Sequence, residues 1–334
     1  MRIGDLEPQE LWRRLAGEGL ALDFGVVRAR VRSPSRGLAQ AVQLLYAQLP
    51  VISVAGFFDI SASVERATGL RRWVRPQVTF VLDGKHPFEP FPADTHLPLL
   101  EWGLNWAIAN RSNSYLLLHA GAVERAGQGI LLPALPGSGK STLTAAMCAR
   151  GYRLLSDEFG PVGLKDGLLF PSVKPIALKN QSIAIIRDFA PDSIIGPEFP
   201  KTRKGRVAHL APSAESVAKR HQPAVPRLIV FPRYDPAAQA RLEPISKSAA
   251  FTKLAANSFN YQILGPEGFE AMARLIQQCD CFRLNYSRLE DAIAIIDNRI
   301  QATVPAETST GRALPPMGHL APPLPSAPGT ELAR

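Results

Sequence analysis

Ala134-Leu135-Pro136-Gly137-Ser138-Gly139-Lys140-Ser141-Thr142 is the stretch whose reading decides the fold. It follows the apolar run Gly129-Ile130-Leu131-Leu132-Pro133 and opens the helical pattern Leu143 to Arg150. Strand, glycine loop and helix therefore stand in the order of a P-loop. Gly137 and Gly139 let the backbone curl so that its N–H groups point at phosphate oxygens, and the positive end of the next helix adds to the attraction. Lys140 has the reach for β- and γ-phosphates, and the Ser141 hydroxyl is suited to Mg²⁺. The loop Gly137, Ser138, Gly139, Lys140, Ser141 and Thr142 is thus the expected nucleotide cradle. Ala134 stands where such loops usually begin with glycine, a mild change at the loop entrance.

Outward from the loop, Tyr115 to Glu124 and Gly129 to Leu132 form an expected hairpin around Ala126-Gly127-Gln128-Gly129, whose second arm feeds the loop. Beyond the loop helix, Tyr152 to Ser156 reads as a short strand delivering Asp157-Glu158 at its end. Helices are expected over 181–187, 248–256, 266–278 and 287–298, and strands over 207–210, 227–231, 242–245 and 281–286. Residues 188–206, rich in Pro, Gly and charge, read as a mobile loop. The prediction is an α/β domain over 99–302, more hairpin-rich than an ordinary doubly wound NTPase.

Upstream, Leu6, Leu11, Trp12 and Leu15 mark an amphipathic helix, residues 21–31 a strand, and Ser35 the start of a second helix through Leu38, Val42 and Leu45. Residues 51–58 and 78–82 are β-rich, the latter ended by Asp83-Gly84. Residues 1–98 therefore form a smaller α+β region, bounded near Pro98 by a proline-interrupted segment. Residues 303–334, proline-rich and without apolar periodicity, read as disordered.

The 334 residues suffice for one large or two smaller cores, and 46% hydrophobic content fits a globular protein. No run reaches membrane-span length and the start lacks an apolar signal core, so the expected location is cytoplasmic. The net charge of +9 raises nucleic acid as a partner. The basic residues are scattered, however, apart from 71–75 and 201–206, and no nucleic-acid motif accompanies them, so none is expected. Cys148, Cys279 and Cys281 cannot build a disulfide framework or a four-ligand zinc site and read as reduced thiols.

Taken alone, His119 is a core or turn histidine and Asp157-Glu158 an N-cap pair or solvated turn. Both nevertheless sit at ends of strands flanking the loop strand, where a sheet presents groups to bound phosphate. The segments Leu118-His119-Ala120-Gly121-Ala122-Val123, Gly129-Ile130-Leu131-Leu132, Gly137-Ser138-Gly139-Lys140-Ser141 and Arg150-Gly151-Tyr152-Arg153-Leu154-Leu155-Ser156-Asp157-Glu158 together resemble the catalytic core of HPr kinase/phosphorylase. The closest likeness is to the group called HPr-kinase-related kinase A. The match runs without a gap from His119 through Glu158 and weakly thereafter.

The resemblance implies a phosphoenolpyruvate-carboxykinase-like fold, ATP and Mg²⁺ as cofactors, and a Ser/Thr hydroxyl of a peptide or small protein as acceptor. Relatives sit near peptide-modification and exosortase-type genes. Asp157 is then the general base with His119 assisting, Lys140 neutralises the transferring phosphoryl, and Ser141 with Glu158 holds Mg²⁺. The family's Leu-Glu-Ile-Arg-Gly-type loop is unmatched, with Lys204-Gly205 its nearest echo and the acid missing. Lys201, Arg203, Lys204 and Arg206 are candidates to clamp phosphate or an acidic peptide, or to be plain surface charge, and Arg233 is a further phosphate candidate. A non-catalytic ATP-binding module regulating peptide modification or export is the competing reading, and a homo-oligomer is open. A motor-type ATPase fits less well, because its second acid normally ends a later strand.

Overall fold

The computed structural model describes residues 1–135 and 137–303. The N-terminal part runs α1 (Pro8–Ala16), β1 (Leu20–Asp23), β2 (Arg28–Arg32), α2 (Arg36–Leu45), β3 (Ile60–Arg66), β4 (Gln77–Leu82), β5 (Phe91–Pro92) and α3 (His96–Arg111). Its sheet follows chain order, β1-β2-β3-β4-β5, with β2 and β3 parallel across the α2 crossover. Ser35 caps α2 through its hydroxyl, which accepts from the Leu38 N–H at 3.2 Å. Residues 21–31, expected as one strand, are the β1–β2 hairpin turned at Gly25, and the strand expected over 51–58 is irregular. The β-rich side chains Val51 and Ile52 lie only partly buried, so propensity there finds no ladder to join.

The remainder runs β6 (Tyr115–Leu118), β7 (Ala120–Arg125), β8 (Gln128–Pro133), α4 (Lys140–Ala149), β9 (Arg153–Ser156), β10 (Gly160–Gly163), β11 (Ile176–Lys179), α5 (Gln181–Phe189), β12 (Phe199–Thr202) and β13 (Gly205–Leu210). It continues through α6 (Ala214–Ala218), β14 (Val225–Tyr234), β15 (Arg241–Pro244), α7 (Lys247–Ala256), α8 (Tyr261–Gln278), β16 (Asp280–Tyr286) and α9 (Leu289–Thr303). The architecture is α/β, with a central mixed sheet in the order β15-β16-β14-β8-β7-β9. The β7–β8 hairpin forms as read, from Ala120 opposite Pro133 to Arg125 opposite Gln128. Its first arm breaks at His119, however, and β6 pairs with β10 in a separate ribbon. The expected mobile loop over 188–206 contains β12, which turns back on β13 as a hairpin.

Strand directions decide what the central sheet displays. β8, β14 and β16 are mutually parallel, and β7 is antiparallel to both β8 and β9. The ends of β8, β9, β14 and β16 and the start of β7 therefore share one edge. Side chains alternate across the sheet: Ile130 and Leu132 join the core that includes α4 and α9, whereas Leu131 joins the core built with α7 and α8.

The first of these cores is continuous with the N-terminal region, from Ile3 through Phe80 and Leu104 to Val230 and Ile300. Pro98, where the sequence suggested a boundary, falls inside α3, which packs against β3 and β4. The proline-rich stretch expected to be disordered lies, from residue 304 on, outside the described residues. The three cysteines are free thiols. Among the described residues no helix is long and apolar enough to cross a membrane.

Candidate functional site

The loop after β8 opens the shared edge. Gly137 and Gly139 take φ of +86° and +87°, the left-handed region that admits glycine at little cost. Gly139 is the N-cap of α4, whose ten residues direct their free N–H groups into the loop. Two later strands hold the loop from outside. The Tyr234 N–H donates to the Ser138 carbonyl at 3.1 Å, and the Tyr286 hydroxyl donates to the Gly139 carbonyl at 3.3 Å.

Lys140 is 9% exposed, and its ammonium donates to the Asp157 carbonyl while standing 3.8 Å from the Asp157 carboxylate. Asp157 is 7% exposed and carries one buried carboxylate oxygen with no hydrogen-bond partner. Burial raises its pKa, against the opposing pull of Lys140 and the nearby Ser141 hydroxyl. Ser141, Lys140 and Asp157 thus meet at the root of α4.

His119 stands on the same edge, between β6 and β7. Its backbone N–H donates to the Asn257 carbonyl at 2.9 Å, the Asn257 amide donates back to the His119 carbonyl at 3.0 Å, and the same amide reaches the Ala134 carbonyl at 3.4 Å. The ring packs on Phe259, centroids 5.4 Å apart, and its Nε2 lies 3.8 Å from Glu158 Oε1. Burial, then Lys140, lowers the His119 pKa, with Glu158 pulling the other way. For Glu158, burial acts upward, but Lys140, His119, Lys179 and Lys204 together outweigh it and hold the carboxyl below its ordinary value.

A cleft of about 950 Å³ runs along this edge, lined by the glycine loop, His119 and Glu158 on one side and by Lys179, Lys204 and α5 on the other. Tyr234, Tyr286 and the start of α9 close its far end. Of the sequence-derived site residues, His119, Gly137 to Thr142, Glu158 and Lys204 line this cleft, and Asp157 does not. Glu158 borders both the cleft and a small void of about 30 Å³, whereas Asp157 borders only that void, with Glu101, Lys174 and His209.

Of the basic residues in 201–206, Lys204 alone reaches the cleft. The Arg203 guanidinium lies 4.8 Å over the Phe91 ring, Arg206 pairs with Glu198 at 3.5 Å, and Lys201 is exposed. Arg233 is exposed beside Tyr234, which takes the cleft-facing place. Sequence reasoning missed Lys179, Asn257, Tyr234 and Tyr286. Lys179 carried a faint signal as the charge ending an apolar strand; the others reach the site only through long-range pairing.

Among the described residues no group of three or more His, Cys, Asp or Glu side chains is placed to hold a metal by itself. The donor set at the root of α4, one hydroxyl and one carboxylate oxygen without a hydrogen-bond partner, suits Mg²⁺ bound partly by protein and partly by phosphate and water. The sequence matches no protein-family model and no curated protein.

Proposed function

We propose that the protein is an ATP-dependent kinase, transferring the γ-phosphoryl group to a Ser or Thr hydroxyl of a peptide or small protein. One observation carries this reading: His119 and Glu158, far apart in sequence, converge to 3.8 Å in the cleft that the glycine loop opens. A structural histidine and a solvated turn carboxylate have no reason to meet there, whereas a transferred phosphoryl needs a proton acceptor beside its entry point.

The chain's residues divide the work by position. The N–H groups at the start of α4 and the Lys140 ammonium hold phosphate charge, which is the dominant demand of phosphoryl transfer. Ser141 and Asp157 would hold Mg²⁺, which supplies charge neutralisation on the phosphates when bound. Glu158, which lines the cleft and is held below its ordinary pKa, is placed to take the acceptor hydroxyl's proton, with the His119 ring beside it. The resemblance had suggested the opposite division, Asp157 as base and Glu158 on the metal. Burial of Asp157 behind Lys140 supports the exchange.

Purified protein incubated with γ-labelled ATP, Mg²⁺ and an array of Ser- and Thr-containing peptides is expected to label a subset of them, and Lys140→Ala to label none. Tight ATP binding with no transfer to any peptide or co-purified protein would favour the competing reading, an ATP-occupied module that recruits a partner without modifying it.

A further inference from the structure

Two ammonium groups besides Lys140 line the cleft. Lys179 is the last residue of β11, and Lys204 sits in the turn of the β12–β13 hairpin, both in a small sheet separate from the central one. Among the described residues neither side chain makes a hydrogen bond or an ion pair. Their neighbours differ: Arg203 is spent on Phe91 and Arg206 on Glu198.

The backbone holds the two lysines in register. Asn180, next to Lys179, donates its N–H to the Arg206 carbonyl at 2.9 Å and accepts the Arg206 N–H on its side-chain oxygen at 3.1 Å. To do so it adopts φ +52° and ψ −119°, a conformation that strains a non-glycine residue and persists only where surroundings enforce it. The hairpin turn is built to match. Gly205, at φ +81°, approaches so closely that a Cβ there would stand 2.5 Å from the Asn180 side-chain oxygen. The Lys204 N–H donates to the Thr202 hydroxyl at 3.1 Å, and that hydroxyl donates to the Gly205 carbonyl at 2.7 Å.

The two charges feel one another: burial first, and then Lys204, lowers the Lys179 pKa. At this end of the cleft Lys140, Lys179 and Lys204 all act on the single carboxylate that lines it, Glu158. Like charges held together beside a cavity, with strained backbone spent on fixing them, have their repulsion relieved by a bound polyanion.

We propose that Lys179 and Lys204, registered by Asn180, form a second phosphate-binding cation pair that meets the terminal phosphate of the donor from the sheet lying beyond the glycine loop. The inference rests on the reading of that loop as a phosphate cradle. It adds a donor-discriminating element, because the pair lies at the His119–Glu158 end of the cleft and so contacts the phosphate that ATP has and ADP lacks.

Isothermal titration of the full chain with inorganic tripolyphosphate, Mg·ATP and Mg·ADP tests it. Lys179→Ala and Lys204→Ala are each expected to weaken tripolyphosphate and ATP by about tenfold, as loss of a charge-assisted contact does, and to weaken ADP less. Arg203→Ala and Arg206→Ala leave all three unchanged, and Asn180→Ala weakens ATP several-fold with both lysines in place. Lys204→Ala alters an exposed turn side chain and keeps the fold, so its result stands even where Lys179→Ala fails to fold. Wild-type affinity for tripolyphosphate and ATP in the double variant Lys179→Ala/Lys204→Ala overturns the pair; if Lys140→Ala has meanwhile lost binding, the cradle reading survives. A wild-type protein that binds neither compound overturns both.

Discussion

Asp157 and Glu158 are adjacent in sequence and separate in environment. The bend that follows β9 places the Asp157 carboxylate 3.8 Å from the Lys140 ammonium and the Glu158 carboxylate in the cleft, 3.8 Å from His119. Two carboxylates whose surroundings push their pKa values apart take different roles. Asp157 is raised, chiefly by burial, while Glu158 is lowered because Lys140, His119, Lys179 and Lys204 overcome its burial. Glu158→Gln is therefore expected to cut phosphoryl transfer by roughly 10²–10⁴-fold with ATP affinity unchanged. Asp157→Asn should instead weaken Mg²⁺-dependent ATP binding. Full transfer by Glu158→Gln, with transfer lost and binding intact in Asp157→Asn, would return the base to Asp157; single-turnover rates beside titration calorimetry separate the cases.

At the level of elements, the site is a joint between strands and the loops that follow them, and Asn257 is its pin. Positioned after α7, it fastens the β6–β7 break at His119 to Ala134 at the glycine-loop entrance. Asn257→Ala leaves two carbonyl oxygens without a donor and is expected to cost about 1–3 kcal/mol in urea denaturation. Asn257→Asp should cost more, since a carboxylate would face those carbonyls; equal stability of the two variants would show that the amide does not hold the joint. The glycine loop, its strand and its helix were legible because a local pattern of Gly, Lys and apolar residues encodes them. The β7–β8 hairpin was legible for the same reason, through Ala126-Gly127. Asn257 and Tyr286 were not, because their contribution is a hydrogen bond to a segment more than a hundred residues away, and nothing in the residue type announces it. The hairpin of β12 and β13 was misread as a mobile loop because Pro, Gly and charge mark a turn and a disordered stretch alike. The staple from Asn180 is what tells them apart.

Across the whole molecule, the N-terminal region meets the phosphate site through a buried polar cluster rather than through apolar packing alone. Glu101 of α3 pairs with Lys174 at 3.1 Å and accepts a hydrogen bond from the Tyr46 hydroxyl, and Lys174 also donates to Asn105 at 2.5 Å. His209, 2% exposed, lines the same void as Asp157, and burial lowers its pKa despite the opposing charge of Glu101. A depressed histidine contributes stability that is present above its ordinary value of 6.5 and lost as pH falls towards the folded-state value. Denaturation midpoints of the wild type should therefore drop between pH 7.5 and 5 by more than those of His209→Gln; parallel curves would remove His209 as the cause. The ion pair gives the sharper test of coupling. Glu101→Gln keeps an acceptor for Tyr46 but strands the Lys174 charge in a site 7% exposed, which is expected to cost about 3–5 kcal/mol. Adding Lys174→Met removes the stranded charge, leaves Asn105 as the only partner lost, and should recover most of that stability. Urea denaturation of the two single variants and the double variant measures this directly. Additive losses would mean that the two side chains act independently. A recovered double variant would show that the stranded Lys174 charge, not the loss of packing, is what Glu101→Gln costs, and that α3 is joined to the wall of the void beside Asp157 by one charge pair.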